Sequence, residues 1–320
     1  MSTAPSRRTH LLDAALTAAA RGWHVFPLKP GTKLPALHGY DRCPRTGACA
    51  ERHVGWEQRA TVDPDRIRAA WSAGEFNVGI ACGPSGLVVV DLDAVKPGDQ
   101  VPDRWMSEAG VRDGQDVLAA LAEEAGQPVP ADTYTVATPS GGLHLYYQAP
   151  AGTALRNTEG ERGRGLGWKI DTRAHGGQVV AAGSVVAERA YRVLAEREPS
   201  ALPGWLAVRL TPAPLPPAPA VPIRPDRGQR DRYLTAAIHG ECQKVRNAPA
   251  SQRNACLYAA ALALGQLVAG GALTEAEVSA ELASAAARHV ALAAYSERQA
   301  HQTIASGIRA GASRPRQVAA

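Results

Sequence analysis

The stretch Gly83-Pro84-Ser85-Gly86-Leu87-Val88-Val89-Val90-Asp91-Leu92-Asp93 decides how this chain is read. A Gly/Pro/Ser turn opens into an apolar run rich in β-branched residues, which reads as a buried strand. Side chains alternate faces along a strand, so Asp91 and Asp93 share one face, about 7 Å apart at ~3.3 Å per residue. Two carboxylates leaving a hydrophobic strand together are unfavourable without a cation beside them. A hard divalent metal suits their oxygens. The same pair also reads as a strand end meeting solvent, and the strand alone leaves both readings open.

The 320 residues suffice for one large or two ordinary domains, each with a core. The net charge is +5, from 30 Arg and 5 Lys against 30 acidic residues. Arginine's planar fork suits phosphates. A GC-rich coding sequence gives the same bias, so position must identify the arginines that matter. Nothing resembles a signal peptide, and no apolar run approaches the ~20 residues of a membrane span. A cytoplasmic protein with no membrane partner is expected. Five cysteines, an odd number, argue against a disulfide framework.

Working outward, helical spacing predicts a helix over Thr9–Arg21, with Thr9 as N-cap and Gly22 as stop. Strands are expected at 23–28, 77–82, 87–93, 133–138, 143–148, 168–171 and 178–186. Helices are expected at 63–73, with Asp63 as cap and Pro64 first, and at 114–125 behind Asp113. Residues 94–112 read as irregular, and 152–167, rich in Gly and Arg, as a mobile basic loop. Seven of the fifteen residues from Thr211 to Pro225 are proline, a semi-rigid linker and domain boundary. Beyond it, four Ala-rich helices are expected at 231–245, 252–269, 275–289 and 297–310. Thr274–Glu277 and Ser296–Gln299 form capping boxes. The fold class expected is an α/β (α+β) domain with a mostly antiparallel sheet over 1–210, then a small all-α domain over 226–320.

Three constellations carry chemistry. Asp91-Leu92-Asp93 is the first. Gly141-Gly142-Leu143-His144 delivers a histidine onto a strand face shared with Tyr146, and Asp171-Thr172-Arg173 ends an apolar strand with a carboxylate and an arginine. Each alone has a plain structural explanation. Together they fit phosphoryl transfer by two metals, with three carboxylates holding the ions and His or Arg meeting the phosphates. A separate set, His38-x4-Cys43-x5-Cys49-x3-His53, offers tetrahedral zinc ligands, although the cysteines are more widely spaced than usual. The alternative is a reduced loop whose Cys and His share no partner.

With these residues in order, the chain resembles the bifunctional primase–polymerase branch of the archaeo-eukaryotic primase superfamily. The resemblance runs from about Ala14 to Val186. It covers Gly22–Leu28 with Lys33-Leu34-Pro35, Asn77–Ile80 through Asp93, Thr138–His144, and Asp171–Arg173 with Gly176-Gly177. It implies Asp91, Asp93 and Asp171 as ligands of two Mg²⁺ or Mn²⁺ ions, with His144 on the incoming nucleotide's phosphates. Ser140, Gly141, Gly142, Lys33 and Arg173 would complete the nucleotide site. One departure is Ala181-Ala182-Gly183-Ser184, where the family commonly has prolines before the serine. Zinc-bearing loops occur in relatives, and carriage by a plasmid or prophage is what the family implies.

The activity implied is template-directed addition of dNTPs or NTPs on single-stranded DNA. Arg156, Arg162 and Arg164 could meet DNA phosphates, or could simply be solvated. Trp168, Tyr146 and Tyr147 could stack bases, with core packing the better account for at least two of them. No GxxxxGK[ST] phosphate loop is present, so a separate replicative helicase is the expected partner. Two other classes stay open: an inactive replication-initiator or DNA-binding module, and a two-metal nuclease.

Overall fold

The computed structural model describes residues 6–39, 42–51, 53–108, 110–153, 155–162, 164–211, 227–249, 252–292 and 295–317. The predicted linker, Thr211 apart, lies outside them. The chain divides into two compact units, Met1–Ala213 and Pro214–Ala320.

In the first unit, α1 (Arg7–Ala20), α3 (Pro64–Ser72) and a three-stranded antiparallel sheet bury one core. That sheet runs β1 (Val25–Leu28), β2 (Asn77–Ala81), β7 (Gln178–Val180). A larger sheet has the order β10 (Arg192–Ala195), β4 (Tyr134–Ala137), β5 (Leu143–Gln148), β3 (Leu87–Leu92), β6 (Ile170–Arg173). A short strand, β11 (Ser200–Ala201), adds parallel to β5. Leu87 and Val89 enter the first core beside Tyr134, Val136 and Tyr146. Val88, Val90 and Leu92 enter a second core, with Trp105 and α5 (Gly114–Glu124) and α6 (Gly204–Leu210). Burial on both faces explains why β3 is a continuous apolar run and not an alternating one.

Several boundaries differ from expectation, each for a local reason. Helix α1 begins earlier, because Ser6 and not Thr9 is its N-cap, its hydroxyl accepting from the Thr9 amide. Residues 94–112 are not wholly irregular: Asp103–Met106 form α4, which buries Trp105. The strand expected from Trp168 starts at Ile170, since Lys169 has φ +63°, outside any strand. The strand expected over 178–186 is broken at Gly183 (φ +87°). Its far end, β8 (Val185–Val186), forms a separate hairpin with β9 (Arg189–Ala190). Asn77, fully buried, pins that hairpin to β2 by donating to the Val185 carbonyl and accepting from its amide. The remaining helix, α2, spans Trp56–Arg59.

The second unit contains α7 (Arg227–Arg246), α8 (Arg253–Ala269), α9 (Glu275–Ala291) and α10 (Glu297–Ala312) around a third core. Both expected capping boxes are present. α8 and α10 approach closely because a Cβ at Gly265, Gly307 or Gly311 would collide with the facing helix. No helix among the described residues is long and apolar enough to cross a membrane.

Candidate active site

Register builds the site. Across β3 and β6, Asp91 faces Asp171, and across β3 and β5 it faces His144. Residues directly opposed in an antiparallel ladder point to the same side. Asp91, His144 and Asp171 therefore form a row over three adjacent strands. Two positions along, Arg173 opposes Val89 and shares that face. Asp93 lies one step past the end of β3, where its amide still donates to the Lys169 carbonyl (2.8 Å).

The glycines the sequence placed in the nucleotide site have a positional role. Gly141 adopts φ +90°, and a Cβ on Gly142 would strike the Leu92 carbonyl oxygen. The tip of the β4–β5 hairpin thus lies against the Leu92–Asp93 backbone. Ser140 is exposed there, its hydroxyl 3.0 Å from that of Thr138.

A cavity of about 380 Å³ opens over Asp91 and His144, while Asp171 and Asp93 are not in its lining. Its walls include Lys33, Asp91, His144, Arg173, Gln178 and Tyr191. Sequence reasoning found the first four. It missed Tyr191 because the preceding hairpin turn, Ala187-Glu188, carries no turn-forming signature. Asp171 is fully engaged: Oδ1 accepts from the Gly160 amide (2.9 Å) and Oδ2 from Arg173 Nη2 (2.7 Å). The Asp93 side chain has no hydrogen-bond or ion-pair partner among the described residues.

The electrostatics are those of a site short of positive charge. Burial pushes the Asp91 carboxyl up to about 7, with the charges of Asp93 and Asp171 adding to the effect and Arg173 and Lys33 opposing it. His144 moves the other way, down to about 3, through burial and then Lys33 and Arg173. Its Nε2 stands 3.5 Å from Asp91 Oδ1, but the imidazole is neutral, so the contact is no ion pair. Its buried Nδ1 has no hydrogen-bond partner among the described residues. A divalent cation beside Asp91 would supply the missing charge, although the one set of ligand atoms gathered closely enough to hold a metal among the described residues is His38, Cys43, Cys49 and His53.

The other predicted residues separate into groups. The described residues of the Gly/Arg loop make several contacts with the rest of the fold. Thr158 pairs with Thr172, Gly160 with Asp171, and Trp105 Nε1 donates to Glu161. Arg156 reaches the cavity rim, against His175 Nδ1 (3.1 Å) and Gly176. Arg162 pairs with Glu159 (3.2 Å), and Arg164 is exposed; neither lines the cavity. Tyr146, Tyr147 and Trp168 are core residues. Away from the carboxylates, the ligand atoms of His38, Cys43, Cys49 and His53 lie within 4.8 Å of one another. The Val54 amide donates to Cys49 Sγ (3.4 Å).

The family described as bifunctional DNA primase/polymerase, N-terminal, matches residues 15–205. The chain belongs to that family. No curated protein matches it. The matched region contains both sheets, the cavity and the Cys/His cluster, and membership makes the chain a DNA primase/polymerase, a nucleotidyltransferase. The family also implies divalent metals, a DNA template and nucleotide substrates.

The raised Asp91 gives a signed prediction for the metal-free primase/polymerase. A carboxyl that is neutral in the fold and ionised when unfolded loses its contribution as pH rises from about 4 to 7. Asp91→Asn should therefore gain stability over wild type on going from pH 5 to pH 8, by on the order of a few kcal/mol. Chemical denaturation at both pH values reads this difference, and an equal margin at both would refute it.

Proposed function

We propose that this primase/polymerase extends a 3′-hydroxyl, or joins two nucleotides to begin a primer, on single-stranded DNA by a two-metal mechanism. The observation that carries the reading is the row Asp91–His144–Asp171, of which Asp91 and His144 line a cavity shared with Lys33 and Arg173. Asp91, Asp93 and Asp171 would hold the cations, which supply charge neutralisation for the attacking and leaving oxygens. Lys33 and Arg173 meet the triphosphate. Neutral His144 donates one N–H to a phosphate oxygen without adding a competing charge. Ser140 and the Gly141-Gly142 backbone border the nucleotide at the Asp93 end. A new bond forms between the 3′-oxygen and the α-phosphorus as pyrophosphate leaves.

Labelled nucleotides incubated with primed and unprimed single-stranded DNA and Mn²⁺ or Mg²⁺ test this. Incorporation should occur with wild type and fall at least a hundredfold in Asp91→Ala/Asp93→Ala. No incorporation under any condition would refute it, and strand degradation would select a nuclease.

We further propose that His38, Cys43, Cys49 and His53 hold one structural zinc. Metal analysis should find about one zinc per chain, lost in Cys43→Ser/Cys49→Ser. Zinc content unchanged in that variant would remove the assignment.

The DNA grip is assigned largely to the helical unit. Residues 1–210 carry 23 Lys/Arg and 23 Asp/Glu, so the whole excess of +5 belongs to the remainder. Arg246 ends α7 and Arg253 begins α8. Arg246→Gln/Arg253→Gln should weaken single-stranded DNA binding severalfold and flatten its salt dependence. An unchanged salt slope would return the grip to the Arg156–Arg164 loop.

A further inference from the structure

Glu57 stands between the Cys/His cluster and the nucleotide cavity, and neither the zinc site nor the transfer chemistry above uses it. It is the second residue of α2. Only Val54 and Gly55 separate that helix from His53, and both are tied back to the cluster. The Val54 amide donates to Cys49 Sγ at 3.4 Å, and a Cβ on Gly55 would stand 4.0 Å from His53 Nε2. Gly55 is the N-cap of α2, its amide donating to Gln58 Oε1 at 3.1 Å. On the inner side, the Trp56 ring packs 4.9 Å from the Phe26 ring of β1, centroid to centroid. α2 thus joins the four ligands to the first core through a very short connection.

The Glu57 carboxylate enters a gap that glycines leave open. Its Oε1 accepts from the Gly176 amide at 2.8 Å. A Cβ on Gly83, in the turn before β3, would stand 2.9 Å from that same oxygen and 3.1 Å from His175 Cα. A side chain at Gly83 would therefore displace either the carboxylate or the turn it holds. That turn, residues 174–177, follows Arg173 directly, and Gly176 and Gly177 line the cavity. Gly176 has φ +82°, and two consecutive glycines lose much conformational freedom on ordering, so the turn depends on outside anchors. Asn157 supplies one, its Oδ1 accepting from the Ala174 amide at 2.9 Å. Cys82 supplies another, its amide donating to the Gly177 carbonyl at 3.0 Å. Glu57 is the anchor that comes from the metal-ligand loop.

We infer that Glu57 is a positioning residue that couples the Cys/His cluster to the nucleotide cavity, so that zinc on the cluster strengthens nucleotide binding. The inference rests on the zinc and nucleotidyl-transfer readings above. Zinc fixes the start of α2, α2 aims the carboxylate, and the carboxylate holds the Gly-Gly turn beside Arg173. The coupling is reciprocal: dATP must raise zinc affinity by the same factor by which zinc raises dATP affinity. Dissociation constants for dATP with excess Mg²⁺ test this, on zinc-loaded protein and on protein stripped with a zinc-selective chelator. Zinc removal should weaken dATP binding about fivefold or more in wild type. Glu57→Gln, whose amide oxygen still accepts from Gly176, should behave likewise. Zinc-loaded Glu57→Ala should already bind dATP about fivefold more weakly, with zinc removal adding less than about twofold. Where stripped protein unfolds, the zinc affinity of folded protein, read by competition with a chromophoric chelator with and without dATP, decides by the same factors.

Equal weakening by zinc removal in wild type and Glu57→Ala overturns the coupling through Glu57, as does wild-type dATP binding that is indifferent to zinc. Glu57→Gln that behaves as Glu57→Ala also overturns it, because the acceptor to Gly176 is then not what matters. Wild type that binds zinc but no dATP fails at the transfer reading, and wild type that binds dATP but no zinc fails at the zinc reading. This inference falls with either.

Discussion

The structure depends on the registry of one strand. β3 is hydrogen-bonded to β5 on one side and β6 on the other, and both of its faces are buried. A slip of one residue against either neighbour would exchange Val89 with Val90 between two differently shaped cores. It would also turn Asp91 into the second core beside Trp105 and Leu118. Packing of the apolar residues therefore fixes the carboxylates. The hydrophobic effect that drives the sheet together also sets which acidic side chains meet, and the aspartates contribute nothing favourable to that choice.

Close backbone contacts then hold the end of the strand where its ladder stops. A Cβ at Gly114 would collide with the Lys169 carbonyl, and one at Gly142 with the Leu92 carbonyl. Helix α5 and the β4–β5 hairpin thus converge on Leu92–Asp93 from different parts of the chain. The Gly114 amide completes the arrangement by donating to the Asp93 carbonyl at 3.1 Å. Asp93 is rigid in its backbone although it lies outside the strand. Its side chain has no hydrogen-bond or ion-pair partner among the described residues.

Much of this was legible in the sequence, for reasons that differ by residue. Leu87–Leu92, Asp63 with Pro64, Asp113 and the two capping boxes each combine a local pattern with a local cause, so their elements appear close to where they were expected. Asp91, His144, Lys33 and Arg173 were identified through motif order, and they line one cavity. What escaped has no local signal. The turn at Ala187-Glu188 lacks the Asn or Gly that usually marks such geometry, and its conformation is imposed by Asn77 and Ser184 from outside. Lys169 is likewise forced to positive φ by its tertiary setting. Both failures lie at the cavity or on a strand that leads to it, and Tyr191 was hidden with the turn that places it.

The two groups of candidate ligands differ in a way that electrostatics explains. The ligand atoms of His38, Cys43, Cys49 and His53 are drawn within 4.8 Å of one another. Three carboxylates cannot gather so closely without a counter-charge. In this structure Arg173 supplies part of that charge to Asp171, and Asp91 is pushed toward its neutral form. The cost of bringing the carboxylates together is thus carried by one guanidinium and one shifted proton. Divalent cations would relieve both, deprotonating Asp91 and freeing Arg173 to turn from Asp171 toward a triphosphate. On the proposed two-metal reading, the arginine that compensates Asp171 in this structure is also the group that would meet the triphosphate. That reading would couple cation and nucleotide binding through a single side chain at the edge of β6.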